Sequence, residues 1–158
     1  MSESDSRPPG PDVGLPPALY PALAIGGAYL LQQYLPLPRP TLALYANSAW
    51  VVFGLSLGLI FWSLLSLRKF RTTAIPHHAS TCLVTSGPYR RSRNPIYLGF
   101  LLLMLASGLG TGNMWAVLFM PLVMILLTRY AIIPEEHYLQ NRFGENYQTY
   151  CRSVRRWL

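Results

Sequence analysis

The chain has 158 residues, of which 51% are hydrophobic and 12% are charged, and its formal net charge is +7. A soluble domain carries roughly 25% charged residues, so this composition favours lipid over water as the main solvent. The acidic residues leave positions 13 to 134 without a carboxylate. Basic excess beside apolar segments is typical of cytoplasmic membrane flanks that contact anionic lipid, and we expect no nucleic-acid partner.

The first two apolar stretches follow a polar N-terminal tail. Residues 1–14 are rich in proline and acids, which predicts a disordered tail ahead of a single domain over 15–158. Residues 18–35 are long enough to span a bilayer, and 40–67 form a second uncharged stretch. Gly54 and Gly58 make a GxxxG pair in the second stretch, a candidate contact face in a chain whose oligomeric state stays open.

The third uncharged stretch, residues 94–128, predicts a helical hairpin. Its arms are placed at 95–107 and 114–132, because glycines and Asn113 between them supply turn chemistry. The Ile133–Pro134 step predicts a helix break. Apolar positions then recur at helical spacing to the end, which predicts one amphipathic basic helix on the membrane surface.

The distribution of basic residues predicts the orientation. Six lie between positions 68 and 93 and five from 129 onward, whereas the other two connections carry one or none. By the positive-inside rule, both termini are cytoplasmic. The expected fold is all-α and integral to the membrane, with about four transmembrane helices including the C-terminal hairpin, followed by the amphipathic cytoplasmic helix.

The candidate chemical groups lie at the cytoplasmic ends of the predicted hairpin. Folding it would bring Arg93 and Asn94 close to Glu135 and Glu136, which is the strongest site hypothesis from the residues alone. Simpler interpretations stay open: the glutamates suit the N-terminus of a helix, and the arginines suit lipid phosphates. His77 lies beside a second histidine but without a further ligand pair, and the cysteines form no CxxC motif, so no metal site is predicted.

Two sequence motifs carry a resemblance to a known family. The run Gly87-Pro88-Tyr89, followed by Arg93-Asn94-Pro95-Ile96-Tyr97-Leu98-Gly99, resembles the signature of the isoprenylcysteine carboxyl methyltransferase and phospholipid (phosphatidylethanolamine) N-methyltransferase superfamily. Glu135-Glu136, then Phe143-Gly144 and later tyrosines, is similar to its second signature. The resemblance covers residues 71–158 and suggests a small member of bacterial type. Asn94 stands where the prenylcysteine enzymes usually carry histidine, so the resemblance does not specify a prenylcysteine substrate.

The resemblance implies an S-adenosylmethionine-dependent membrane methyltransferase in a bacterial inner (plasma) membrane. Its acceptor would be a small hydrophobic or lipid-borne nucleophile, namely a carboxylate, amine or thiol. Arg93 and Asn94 would be catalytic. The residues implied to bind the cofactor are His77, Tyr89, Arg93, Asn94, Pro95, Tyr97, Glu135 and Glu136. Two alternatives stay open: a membrane NADPH-dependent reductase related to sterol reductases, and a non-catalytic membrane assembly factor.

Overall fold

A computed structural model describes residues 14–38, 43–70 and 82–158 of the chain. Most of the predicted tail, 1–14, and the candidate residue His77 lie outside the described residues. All regular structure in the described part is helical, as predicted. Seven α-helices are α1 (Leu19–Tyr34), α2 (Ala43–Lys69), α3 (Pro95–Thr111), α4 (Met114–Leu118), α5 (Met120–Leu127), α6 (Ile133–Phe143) and α7 (Glu145–Ser153), with a 3₁₀ turn at Gly87–Arg90 and a π turn at Thr128–Ile132.

Local sequence explains where α3 ends and α4 begins. Gly112 adopts a φ of 65°, the left-handed conformation that glycine tolerates best, and its N–H bonds to the Gly108 carbonyl. Asn113 then caps α4, because its side-chain oxygen accepts from the Trp115 N–H at 3.0 Å. The Asn113 amide also donates to the Ala28 carbonyl at 3.0 Å, which ties this turn to α1.

The apolar core lies between α3 and the run that leads from α5 through the π turn. Tyr97, Leu101 and Met104 of α3 pack against side chains of that run, among them Leu127 and Ile132. Met104, Leu127 and Ile132 are fully buried. Burial of such side chains contributes about 1.5–3 kcal/mol each, so this core fixes the start of α3 beside the start of α6.

Helices α2 and α3 approach closely through small residues. The buried Ser56 hydroxyl donates to the Gly99 carbonyl at 2.7 Å, and a Cβ at Gly99 would collide with the Ile60 side chain. Gly54 and Gly58 take no part, since a Cβ at either position would meet nothing within 4 Å. Among the described residues, the GxxxG pair is therefore not the contact face of α2, and its role between chains stays a prediction.

We expect Gly99→Ala to destabilise the fold by about 1–3 kcal/mol, because the added methyl overpacks the α2–α3 contact. Gly58→Ala is the matched control: it adds the same methyl to open space in a helix, where alanine is favoured over glycine by up to about 1 kcal/mol. Thermal unfolding of the purified proteins in detergent measures both. Equal melting temperatures for the two variants would contradict the close approach described for Gly99.

The predicted break at Ile133–Pro134 is wrong, because the helix continues through it. The Ile133 N–H bonds to the Thr128 carbonyl, five residues back, in the π turn Thr128–Ile132. Proline has no N–H and would leave a gap in a regular α-helical ladder. The wider turn directly before Pro134 accommodates that gap, and α6 follows with proline in its first turn.

The single amphipathic tail helix is also wrong, since Gly144 divides it into α6 and α7. Gly144 has a φ of 53°, which ends α6 and redirects the chain. The apolar face of α7 then packs into the protein, with Tyr147 and Tyr150 buried. Residues 154–158 leave the helix and run back over the turn that precedes α3, with the Arg155 carbonyl accepting from the Arg93 N–H at 3.0 Å. The sequence spacing alone did not indicate this reversal.

Two helical runs of the described chain are long and apolar enough to cross a membrane. They are Asn47–Lys69, with a mean hydropathy of 2.0, and Met114–Phe143, with 2.2. Helix α1 has 16 residues and α3 has 17. At about 1.5 Å per residue, each is shorter than a bilayer core of about 30 Å. Two of the four predicted membrane spans, those at α1 and α3, are therefore shorter as single helices than the bilayer core.

Candidate functional site

The predicted convergence of the two polar segments is present at the start of α3 and of α6. The Tyr97 hydroxyl, on the first turn of α3, donates to Glu135 Oε1 at 2.5 Å. Tyr97 is 8% exposed, so this hydrogen bond is largely screened from solvent. Among the described residues, no ion pair involves Glu135. Within the described part of the chain, its side-chain partner is therefore a neutral hydroxyl.

Glu136, its neighbour, lies between two arginines. Arg93 Nη2 is 3.2 Å from Glu136 Oε1, and Arg156 donates from Nε and Nη2 to the two carboxylate oxygens at 3.0 and 2.7 Å. Two parallel N–H···O bonds are the strongest arginine–carboxylate geometry. These hydrogen bonds with Glu136 raise the pKa of Arg156. The two adjacent glutamates thus have opposite surroundings, one neutral and one cationic.

Arg93 makes several contacts, and one of its side-chain donors has no acceptor among the described residues. Its backbone N–H bonds to the Arg155 carbonyl, and its Nη1 donates to Cys151 Sγ. The side chain is 14% exposed. Its Nε is buried and meets no acceptor among the described residues. A buried donor without a partner costs roughly 1–3 kcal/mol, so this atom is suited to a ligand that brings an acceptor.

Two tyrosines, Tyr89 and Tyr150, lie beside this cluster. The Tyr150 hydroxyl, on α7, donates to the Tyr89 carbonyl at 2.7 Å. Burial, then the nearby Tyr150 and the Glu135 charge, raise the pKa of Tyr89 above its ordinary value. Burial also raises the pKa of Tyr150, against the opposing effect of Arg93. Both hydroxyls therefore stay neutral across the physiological range and act as hydrogen-bonding groups.

Asn94 and Pro95 shape the turn before α3. Asn94 is buried, and its side-chain amide donates to the Arg156 carbonyl at 3.0 Å. Its N–H bonds to the Ser92 hydroxyl at 3.1 Å. Pro95 is buried at the first position of α3. In this structure the Asn94 amide holds the 154–158 segment, and its predicted catalytic role stays a prediction.

Seven of the eight predicted site residues lie in this one region, and His77 lies outside the described residues. Sequence reasoning missed Arg156, which binds Glu136 more extensively than Arg93 does. It also missed Cys151 as the neighbour of Arg93. The excess of 13 basic over 6 acidic residues indicates only that a partly buried glutamate will have an arginine partner. The sequence does not indicate which arginine pairs with Glu136.

The arrangement is suited to a ligand that carries both signs of charge. Among the described residues, Glu135 has no cationic partner and Arg93 has a buried Nε–H without an acceptor. Neutral tyrosine hydroxyls surround them. Such groups can position a zwitterion by charge-assisted hydrogen bonds, which are about twice as strong as neutral ones.

Comparisons with known proteins cover much of this region. The family model described as phospholipid methyltransferase matches residues 44–146. An uncharacterized protein of Haemophilus influenzae is 40% identical over 63 residues, which are 40% of this chain and 100% of that protein. The protein-S-isoprenylcysteine O-methyltransferase of Schizosaccharomyces pombe is 36% identical over 72 residues, which are 46% of this chain and 30% of that enzyme. No solved structure matches the chain significantly.

Proposed function

Because the chain belongs to the phospholipid methyltransferase family, we propose that it is a membrane methyltransferase that uses S-adenosylmethionine. The acceptor is a small hydrophobic or lipid-borne nucleophile: an amine, a carboxylate or a thiol. The observation that carries this proposal is the cluster at the start of α3 and α6. There Tyr97 bonds Glu135 and Arg93 pairs with Glu136, within the segments that carry the two signatures.

The described residues fit this cofactor by their chemistry. S-adenosylmethionine carries a sulfonium cation, an amino group and a carboxylate. Glu135, which has no ion pair among the described residues, can accept from the amino group or a ribose hydroxyl. Arg93 has a buried Nε without an acceptor and can donate to the carboxylate. When bound, the cofactor supplies an electrophilic methyl group on a positively charged sulfur.

The chain's own residues contribute positioning more than acid–base chemistry. Methyl transfer is an in-line displacement, and holding two reactants in line can lower the barrier by about 7–11 kcal/mol. Arg93 and Glu136 form an ion pair. This pair holds the Arg93 side chain, with its Nε–H donor, in position before a ligand binds. Tyr89 is buried, and its raised pKa keeps the hydroxyl neutral, so it would serve a bound cofactor as a hydrogen-bonding group and not as a charge. A base is needed only if the acceptor arrives protonated.

The proposed topology has four spans in a bacterial inner membrane, with both termini cytoplasmic. In it, α3 and the run from α4 to the π turn form the C-terminal hairpin. Large apolar side chains on α1 and α2 support lipid-facing surfaces, since Leu23 is 67% and Trp50 75% exposed. The shorter α1 and α3 would cross with local thinning of the bilayer or with help from flanking residues.

Calorimetric titration of the detergent-purified protein with S-adenosylmethionine tests this function. We expect saturable binding to one site and transfer of a labelled methyl group to a component of a membrane lipid extract. NADPH titrated in parallel is the control for the reductase alternative. A folded protein that binds NADPH and not S-adenosylmethionine would contradict the proposal in favour of a reductase. A folded protein that binds neither would indicate an assembly factor.

A further inference from the structure

The most extensive side-chain contact at the site comes from outside both sequence signatures. Arg156 binds both oxygens of Glu136, at 3.0 and 2.7 Å, whereas Arg93 reaches one oxygen at 3.2 Å. The Glu136 side chain is 18% exposed and that of Arg156 is 38% exposed. The bidentate geometry fixes the plane of the carboxylate, not merely its location. Arg156 therefore determines which way Glu136 faces.

The segment that carries Arg156 is attached independently of this ion pair. The Arg155 carbonyl accepts from the Arg93 N–H, and the Arg156 carbonyl accepts from the Asn94 amide, each at 3.0 Å. Trp157 packs against the apolar core. These contacts, together with the Ser92 hydroxyl that donates to the Arg156 carbonyl at 3.4 Å, hold residues 154–158 in place without the Arg156 side chain. Loss of the guanidinium would change the orientation of Glu136 more than the path of the chain.

The consequence of that loss falls on Arg93. With Arg156 absent, Glu136 would be free to rotate, and Arg93 would be the cation left beside it among the described residues. A partly buried carboxylate that keeps one cationic partner attracts that guanidinium strongly. Arg93 would then turn toward Glu136, and its Nε would lose the alignment that a ligand needs. Glu136 would then compete with the ligand for Arg93.

We propose that Arg156 is a positioning residue of the cofactor site, and that the two glutamates divide their work. Arg156 holds Glu136 as a fixed counter-ion that orients Arg93, while Glu135 stays available to the ligand. This inference rests on the proposed function, because it assigns roles toward S-adenosylmethionine. It predicts that Arg156 acts through Glu136 and Arg93 without touching the ligand itself.

The first test compares Arg156→Gln with Arg152→Gln. Arg152 is exposed on α7, and its replacement removes the same charge away from the cluster. We expect Arg156→Gln to weaken S-adenosylmethionine binding about tenfold, the effect of losing one charge-assisted interaction, while Arg152→Gln binds like the wild type. In methyl-transfer assays the KM for S-adenosylmethionine should rise with kcat nearly unchanged. Arg156→Lys should recover only part of the affinity, because it restores the charge without the two-pronged geometry.

The second test asks whether Arg156 acts through Glu136. We compare Arg156→Gln, Glu136→Gln and the double variant, by dissociation constant and by melting temperature of the ligand-free protein. We expect the double variant to bind no more weakly than Glu136→Gln alone, since the two changes remove one shared interaction. Independent effects that multiply in the double variant would overturn the proposal.

The outcomes separate this inference from the proposed function. If the wild type binds S-adenosylmethionine and Arg156→Gln binds equally well, the positioning role fails and the function stands. If the folded wild type does not bind it, both fail. Should Arg156→Gln unfold at the measuring temperature, Arg156→Lys decides, because wild-type affinity in that variant would overturn the need for bidentate geometry.

Discussion

Arg93→Ala should lower S-adenosylmethionine affinity about 100-fold or more, equivalent to about 2.7 kcal/mol, and should reduce methyl transfer to the background. The side chain is 14% exposed and pairs with Glu136. Alanine removes the proposed donor to the ligand and leaves Glu136 with Arg156 as its partner among the described residues. Because Arg156 keeps Glu136 paired, the loss should fall on ligand binding more than on stability.

Arg91→Ala is the matched control for this prediction. Arg91 lies two residues earlier and is exposed, so its replacement removes the same charge from the same turn. Calorimetry should give wild-type affinity for Arg91→Ala. A melting temperature within a few degrees of the wild type would show that Arg93→Ala is folded when its binding is measured. Retained affinity in Arg93→Ala would remove this arginine from the proposed site.

Glu135→Gln should also lower the affinity about 100-fold, and we expect it to do so without destabilising the protein. The amide has the size of the carboxylate, and its oxygen can still accept from the Tyr97 hydroxyl. The change therefore removes charge while keeping shape. Glu135 has no ion pair in the described part of the chain, and a carboxylate in that situation is expensive to bury. The neutral side chain should leave the melting temperature equal to that of the wild type or higher.

A lower affinity together with an unchanged melting temperature in Glu135→Gln would distinguish a ligand-binding role of Glu135 from a structural one. Glu145→Gln is the control, because Glu145 is an exposed acid at the start of α7. It should change neither affinity nor melting temperature. A fall in the melting temperature of Glu135→Gln, with affinity intact, would instead assign Glu135 to the helix N-terminus as a structural residue.

The parts of the fold that the sequence predicted are those that depend on local chemistry. The helical class and the start of α3 at Pro95 follow from apolar runs and from proline at a first helical position. The turn at Gly112 and Asn113 follows from residues that tolerate or cap such a turn. Family membership followed from two motifs whose spacing is specific. Each of these signals is contained within a few neighbouring residues.

The features that sequence analysis missed depend on contacts between distant parts of the chain. The residues around Gly144 are compatible with a continuous helix or with a break. The break forms because it allows Tyr147 and Tyr150 to be buried. The Arg156–Glu136 pair joins positions twenty residues apart across that break. Exposed arginines are numerous in this chain, and spacing alone gives no reason to choose among them. The π turn likewise depends on contacts with α3 that are made by the residues before it and after it.

That π turn is equivalent to one extra residue inserted into an α-helix. Each residue rotates an α-helix by about 100°, so the extra residue sets the phase between the two halves of the run. Before it, Leu127 faces the apolar core; after it, Glu135 faces Tyr97. A regular α-helix through the same residues would rotate Glu135 by about 100° away from Tyr97, whereas deletion of one residue between 128 and 132 would remove the π turn and keep the glutamates in phase. In alignments, a one-residue gap at this point is therefore compatible with the same orientation of the two glutamates.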